Sequence, residues 1–373
     1  MAFEFIKKLT LPPLPGIFSF SGKRSFVGID IGFSSVKVVQ LRKENERAIL
    51  ETYGELRTSP YLKNVDGNGI GSGFLRFRDS DIIEMLTDIL REGNVTTNQA
   101  VLAVPSVSSF VTSVELPTKD PDEIARAVPF EARRYIPIPI SEIALNWQII
   151  DGGETPEPAA KTKVLLVAVP KDVVNKFERI VKGLNLTLAG LEIETFSLVR
   201  SLVGHDKTIT ALINYGAQST TVTIVDGGVV MLSHNIDRGS NELTSALARG
   251  LGIAPERAEA FKTEVGLSDR PEDREITSVM SPLVEILISE IERILASYNR
   301  KTERRIERII LTGGGSRVKG LIDHTAKRFG LETIQVNPFS RVTYPPFMQQ
   351  ILKDIGPSFA VAVGLALRNI TPQ

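Results

Sequence analysis

Residues 26–41, FVGIDIGFSSVKVVQL, decide the reading of this chain. Val27, Ile29 and Ile31 alternate with Gly28, Asp30 and Gly32, the period-two signature of a strand. Gly32, Ser34 and Ser35 then make a turn of small residues, and 36–41 form a second apolar run. The stretch reads as strand, tight turn, strand. Asp30 interrupts the apolar strand at its last position before the turn. The backbone N–H groups and hydroxyls of that turn are free to point outward, a concavity suited to anions and above all to phosphate. A carboxylate beside it can hold a magnesium ion through water. An ordinary hairpin with an exposed aspartate would look the same, and this stretch alone does not separate the two.

A second copy does. In residues 210–225, TALINYGAQSTTVTIV, Asn214 falls on Asp30, Gly216 on Gly32, Ser219 on Ser35 and Val222 on Val38. A third glycine-rich turn, Gly313, Gly314, Gly315 and Ser316, follows an apolar strand at 308–311 and precedes a helical pattern. Two such hairpins and a late GGGS turn suggest a two-lobed clasp around a nucleotide. The set resembles the actin-like ATPase superfamily: actin, DnaK-type chaperones, sugar kinases, MreB and FtsA. The expected fold is α/β, two lobes each with a mixed sheet flanked by helices.

Composition bounds the alternatives. The 373 residues suffice for two sizeable lobes. Formal net charge is zero, so no whole-chain attraction to nucleic acid or anionic lipid is expected. Cysteine is absent, which removes disulfides and thiolate metal sites and suits a reducing cytosol. His205, His234 and His324 lie apart, without metal-ligand spacing. No run reaches the roughly 18 apolar residues of a membrane span. The basic cluster Arg300, Lys301, Arg304, Arg305 and Arg308 is interleaved with acidic residues and reads as a solvated helix face rather than a nucleic-acid site.

Along the chain, residues 1–23 read as a flexible tail, broken by Pro12, Pro13, Pro15 and Gly16. Its apolar residues leave open docking on a partner or a bilayer surface. A first lobe is expected over 24–206, with an inserted subdomain at about 106–161. Within the insert, 121–135 is a helix bent at Pro129, and Trp147 lies on a strand. The run at 164–169 reads as a return to the base of the lobe. A second lobe is expected over 207–356, with a helical insertion at about 240–306. Residues 357–373 read as a closing helix that packs back on the first lobe.

Longer stretches narrow the resemblance. GIDIGFSSVKVVQL, VPFEARRYIPIPISEIALNWQII, VLLVAVPKDVV, AGLEIETFSLVRSL, RGSNELTSALARGLGI, ERAEAFK, SEIERILASY, LTGGGSRVKGL and FAVAVGLALR together resemble the PilM family of actin-like type IV pilus assembly proteins over about 24–370. FtsA shares the plan but carries a C-terminal membrane-targeting helix, for which little sequence follows the closing helix here. The resemblance implies an insert placed as in FtsA and PilM, and ATP with magnesium in an interlobe cleft. By that resemblance Asp30 would hold magnesium through water, and Gly32, Phe33, Ser34 and Ser35 would wrap the phosphates. Lys37 would contact a phosphate as a point charge. Gly216, Ala217, Gln218 and Ser219 would supply the opposing hairpin, and Gly313 to Ser316 would pass beneath the adenosine. Glu290 and Arg293 would reach the ribose or base, unless they form a surface i,i+3 ion pair.

The partner implied is the N-terminal cytoplasmic tail of a PilN-like inner-membrane protein, held near the insert; self-association into a homo-oligomer stays open. This places the chain in the cytoplasm, peripheral to the membrane through its partners, with no span of its own. Where relatives carry aspartate in the second hairpin, this chain has Asn214, which lacks charge and one acceptor oxygen. Glu194, some twenty residues earlier, stands where chaperone-type relatives carry a water-orienting glutamate, and also suits a helix cap. The expectation is an ATP-binding scaffold with weak or no hydrolysis. The alternatives are a small-molecule kinase, for which no polar substrate pocket is legible, and an FtsA- or MreB-like filament-forming ATPase.

Overall fold

The structure, a computed structural model, describes residues 24–62, 73–150, 161–302 and 304–370. The expected tail at 1–23 lies outside the described residues, as do 63–72 and 151–160.

Thirteen strands and nine longer helices alternate through the described residues. β1 (Ser25–Ile31), β2 (Ser35–Glu44) and β3 (Arg47–Arg57) form an antiparallel meander. α1 (Asp79–Glu92) leads to β4 (Gln99–Val104), which pairs parallel with β1. β5 (Phe110–Leu116), α2 (Pro121–Ala132), β6 (Ile143–Ile149) and β7 (Thr162–Pro170) follow, then α3 (Lys171–Gly183) and β8 (Thr187–Ile193). The first sheet runs β3-β2-β1-β4-β8.

α4 (Glu194–Leu198) continues as a π turn, Val199–Val203, and leads into the second half. There β9 (Thr210–Tyr215), β10 (Thr220–Asp226) and β11 (Val229–Ile236) repeat the meander. α5 (Ser240–Leu251), α6 (Pro255–Glu264) and α7 (Arg274–Lys301) come next. β12 (Arg308–Thr312), α8 (Leu321–Phe329), β13 (Glu332–Ile334) and α9 (Gln349–Leu367) close the chain. The second sheet runs β11-β10-β9-β12-β13, the topology of the first. Val27, Ile29 and Ile31, at alternating positions of β1, and Ala211, Leu212 and Ile213, a continuous run in β9, are buried in the core.

Two features depart from the sequence reading. β7 does not return to the first sheet. It is the central strand of a separate three-stranded sheet, β5-β7-β6, antiparallel to both neighbours, so the insert extends past 161. Ile124, Val128 and Ala132 of α2 bury against Val164, Leu166 and Ala168 of this strand, forming a core of their own. The closing helix begins at Gln349, a full two turns before Pro357, which sits inside it. The Pro357 carbonyl accepts from the Gly313 amide (2.9 Å) and the Thr312 hydroxyl (2.9 Å), so this proline anchors the GGGS turn.

α9 packs directly on β1. A Cβ on Gly28 would lie 2.2 Å from the Ala362 carbonyl oxygen, so glycine alone permits the contact. The segment Pro346–Leu367 is long and apolar enough to cross a membrane by length and composition, yet 67% of its most apolar window is buried inside the fold. Its apolar character belongs to the core.

Candidate functional site

The two hairpin turns are built alike. Gly32 N–H donates to the Ser35 carbonyl at 3.1 Å, and Gly216 N–H to the Ser219 carbonyl at 3.0 Å. Strand register then lays one row of three residues beside each turn. In the first lobe Asp30 faces Lys37, which faces Glu55. In the second, Asn214 faces Thr221, which faces Asn235.

The first row is charged. The Lys37 ammonium donates to the Ser35 hydroxyl (2.7 Å) and lies 3.4 Å from a Glu55 carboxylate oxygen, to which Ser35 also donates (2.6 Å). Asp30 is buried, and burial pushes its pKa up, opposed by Lys37 and assisted by Glu55. Phe33, at the tip, is 40% exposed. Thr58 braces the turn, its amide donating to the Ser34 carbonyl at 3.1 Å.

The second row is neutral. The Thr221 hydroxyl donates to Asn235 Oδ1 at 2.9 Å. The start of α5 closes on this turn: Ser240 N–H donates to the Gly216 carbonyl and Asn241 N–H to that of Ala217, both at 2.9 Å.

Glu194 opens α4. Its carboxylate accepts long hydrogen bonds from the Ser106 amide and hydroxyl, both 3.4 Å. Burial first, and the Asp30 charge second, push its pKa up. These two carboxylates therefore face one environment and repel each other.

The GGGS turn closes the site. Gly313 has φ +82°, a conformation that favours glycine. A Cβ there would lie 2.5 Å from Asn214 Oδ1, so the turn abuts the second row. Gly314 faces open space, whereas the Ser316 hydroxyl is turned inward and donates to the Gly313 carbonyl at 2.7 Å. Of the four turn residues, Gly314 offers the free surface.

Glu290 and Arg293 lie elsewhere. They line a cleft of about 1210 Å³ between β5 and α2 of the insert and β11 and α7 of the second lobe; no residue of either hairpin turn or of the GGGS turn lines it. The i,i+3 pair does not form: Glu290 accepts from Arg238 at 3.1 Å. A different acid–base pair stands near the GGGS turn. Lys262, on α6, is buried and donates to Glu259 (2.6 Å) and to Thr244 (3.0 Å). Both side chains sense Arg317, the residue after the GGGS turn. Burial lowers the Lys262 pKa against the pull of Glu259. Sequence reasoning passed over this pair, although it lies within the ERAEAFK stretch at 256–262.

A second concavity of about 1270 Å³ runs between the insert and the first lobe. Phe110, Ile136, Ile138, Ile143 and Val173 give it an apolar lining, and Gln218 and Ser219 of the second hairpin reach its edge. The Ser108 hydroxyl, on its wall, is buried and has no hydrogen-bond partner among the described residues.

The family model for type IV pilus assembly protein PilM matches residues 28–370. The chain belongs to this family. It is similar to a solved PilM-PilN type IV pilus biogenesis complex, with a TM-score of 0.80 and 24% identity over 94% of this chain and 100% of the other. MreB5 of Spiroplasma citri bound to AMPPNP matches with a TM-score of 0.53 and 12% identity, covering 92% of this chain and 95% of that one. Cell division protein FtsA of Streptococcus pneumoniae is 21% identical over 82% of this chain and 74% of its own length. FtsA of Rhizobium meliloti is 28% identical over 42% of this chain and 39% of its own. This PilM-family chain therefore has the two-lobed actin-like fold, with the insert as a third sheet.

Proposed function

We propose that this PilM-family chain is an ATP-binding scaffold whose apolar groove holds the N-terminal cytoplasmic tail of a PilN-like inner-membrane protein. That attachment would keep a cytoplasmic chain at the inner face of the membrane. The observation that carries the reading is the groove itself. Apolar walls suit the apolar side chains of an incoming peptide.

The nucleotide part rests on the paired hairpins. Asp30 and Glu194 are forced together by the fold at a cost that a divalent cation would relieve, so the residues present fit magnesium-bound phosphate. Asp30 and Glu194 would hold magnesium through water, and the turns 32–35 and 216–219 would hold the phosphates. Gly313 and Gly314 would lie under the adenosine. Glu259 and Lys262 replace Glu290 and Arg293 as the residues for the ribose or base. When bound, magnesium supplies charge neutralisation at the phosphates.

The chain's own residues give little help to hydrolysis. Asn214 has no charge, and it offers one acceptor oxygen and an NH₂ donor where an aspartate would offer two acceptor oxygens. A kinase reading finds no support in the groove, whose lining is mostly apolar. The test is fluorescence anisotropy with a labelled synthetic tail of the PilN-like protein. Wild type should bind, and Ile138→Asp should weaken binding by about tenfold or more through its buried charge. Equal binding by both would rule the groove out.

A further inference from the structure

Two of the side-chain donors of the first hairpin, Ser35 and Lys37, are already engaged. Ser35 donates to Glu55 at 2.6 Å, and Lys37 lies 3.4 Å from the same oxygen. We propose that Glu55 is a positioning residue that stands in for a phosphate, holding Ser35 and Lys37 until ATP displaces it. This rests on the reading of the interlobe cleft as an ATP site.

Three observations carry it. First, the fold does not need a charge at that position. The equivalent row of the second lobe holds the same register with Thr221 and Asn235, and no ion pair. Second, Glu55 can leave. Its side chain is 43% exposed, on the edge strand β3, so it can turn into water without opening the core. Lys37, at 11%, cannot follow it easily. Third, a carboxylate and a phosphate oxygen compete for the same charge-assisted hydrogen bonds.

Nucleotide binding is then an exchange of one anion for another, and Glu55 sets its strength. The test is titration of a fluorescent ATP analogue into wild type, Glu55→Gln, Lys37→Met and the double variant. Glu55→Gln should bind about two- to fivefold tighter, the scale of a partly exposed ion pair. The gain should shrink between about 0.05 M and about 0.5 M salt, because screening removes the competing charge. It should also be smaller in the Lys37→Met background. Thermal melting checks that each variant folds. Unchanged or weaker binding by a folded Glu55→Gln overturns the proposal, as does a gain equally large without Lys37. If wild type itself fails to bind, the ATP reading falls and takes this one with it. If wild type binds and Glu55→Gln matches it, this proposal alone falls.

Discussion

The two hairpins close their turns with the same hydrogen bond, 3.1 Å in one and 3.0 Å in the other, yet one bears a row of three charges and the other none. Asp30, Lys37 and Glu55 occupy the positions that Asn214, Thr221 and Asn235 occupy in the second lobe. Glycine at the first turn position and an alternating strand pattern are therefore enough to build the element. Charge is an addition, and a costly one, since burial pushes the Asp30 pKa up. A costly group that the fold does not need is a candidate for ligand work.

The largest effect should come from removing the charge of the first row. Asp30→Ala is expected to weaken Mg-ATP binding about 10- to 100-fold, the scale for groups that hold a metal indirectly. Binding of ATP in chelator should change far less. Calorimetry in both conditions checks this, and equal losses would mean that Asp30 shapes the turn instead of holding the ion.

Adding a charge to the second row should act next. Asn214→Asp is expected to raise single-turnover hydrolysis about tenfold or more. Phosphoryl transfer depends on electrostatics and on the placing of the water, and single groups of this kind change rates by about 10²–10³. Brisk turnover by wild type, with the variant no faster, would show that the neutral row carries no functional meaning.

Both hairpins were legible because their signals are local: an apolar strand interrupted by one polar residue, Asp30 or Asn214, and a turn opened by glycine. The GGGS turn was legible for the same reason. What stayed hidden depends on partners distant in sequence. The apolar run at 162–170 suits any buried strand, and only its pairing with β5 and β6 assigns it to the insert. Glu290 with Arg293, and Glu259 with Lys262, have the same i,i+3 spacing. Only packing shows which helix faces the GGGS turn, where Leu267 N–H donates to the Lys319 carbonyl at 2.9 Å. Pro357 read as a helix start, because nothing local reveals that its carbonyl is spent on Gly313.

The pH response of the charged row should be smaller. Asp30 and Glu194 both have folded pKa values above their ordinary ones. Between the ordinary and the raised value the folded chain binds more protons than the unfolded chain. Stability of the nucleotide-free protein should therefore fall as pH rises across that window. Mg-ATP affinity should rise over the same window, as the carboxylates ionise. Melting and binding curves between about pH 5 and pH 8 read both trends. Asp30→Asn should flatten each, and an unaltered slope would show that these carboxylates do not titrate together.

The smallest net effect is expected from moving the first row into the second lobe. Thr221 is buried, with its hydroxyl on Asn235. Thr221→Lys alone removes that bond and leaves a cation with no carboxylate opposite it, so it should cost about 1–3 kcal/mol. Asn235→Glu alone places a carboxylate where Asn235 is only partly exposed, and should cost about 1 kcal/mol or less, because its charge can turn toward water. Together they rebuild the Lys37–Glu55 pairing on a strand register already shown to accept it. The double variant should recover about 1 kcal/mol relative to the sum of the singles, a coupling within the range for contacting residues. Denaturant melts of the four proteins close the cycle. Additive losses would show that the second lobe lacks the room or orientation of the first, and that the two hairpins are alike in backbone alone.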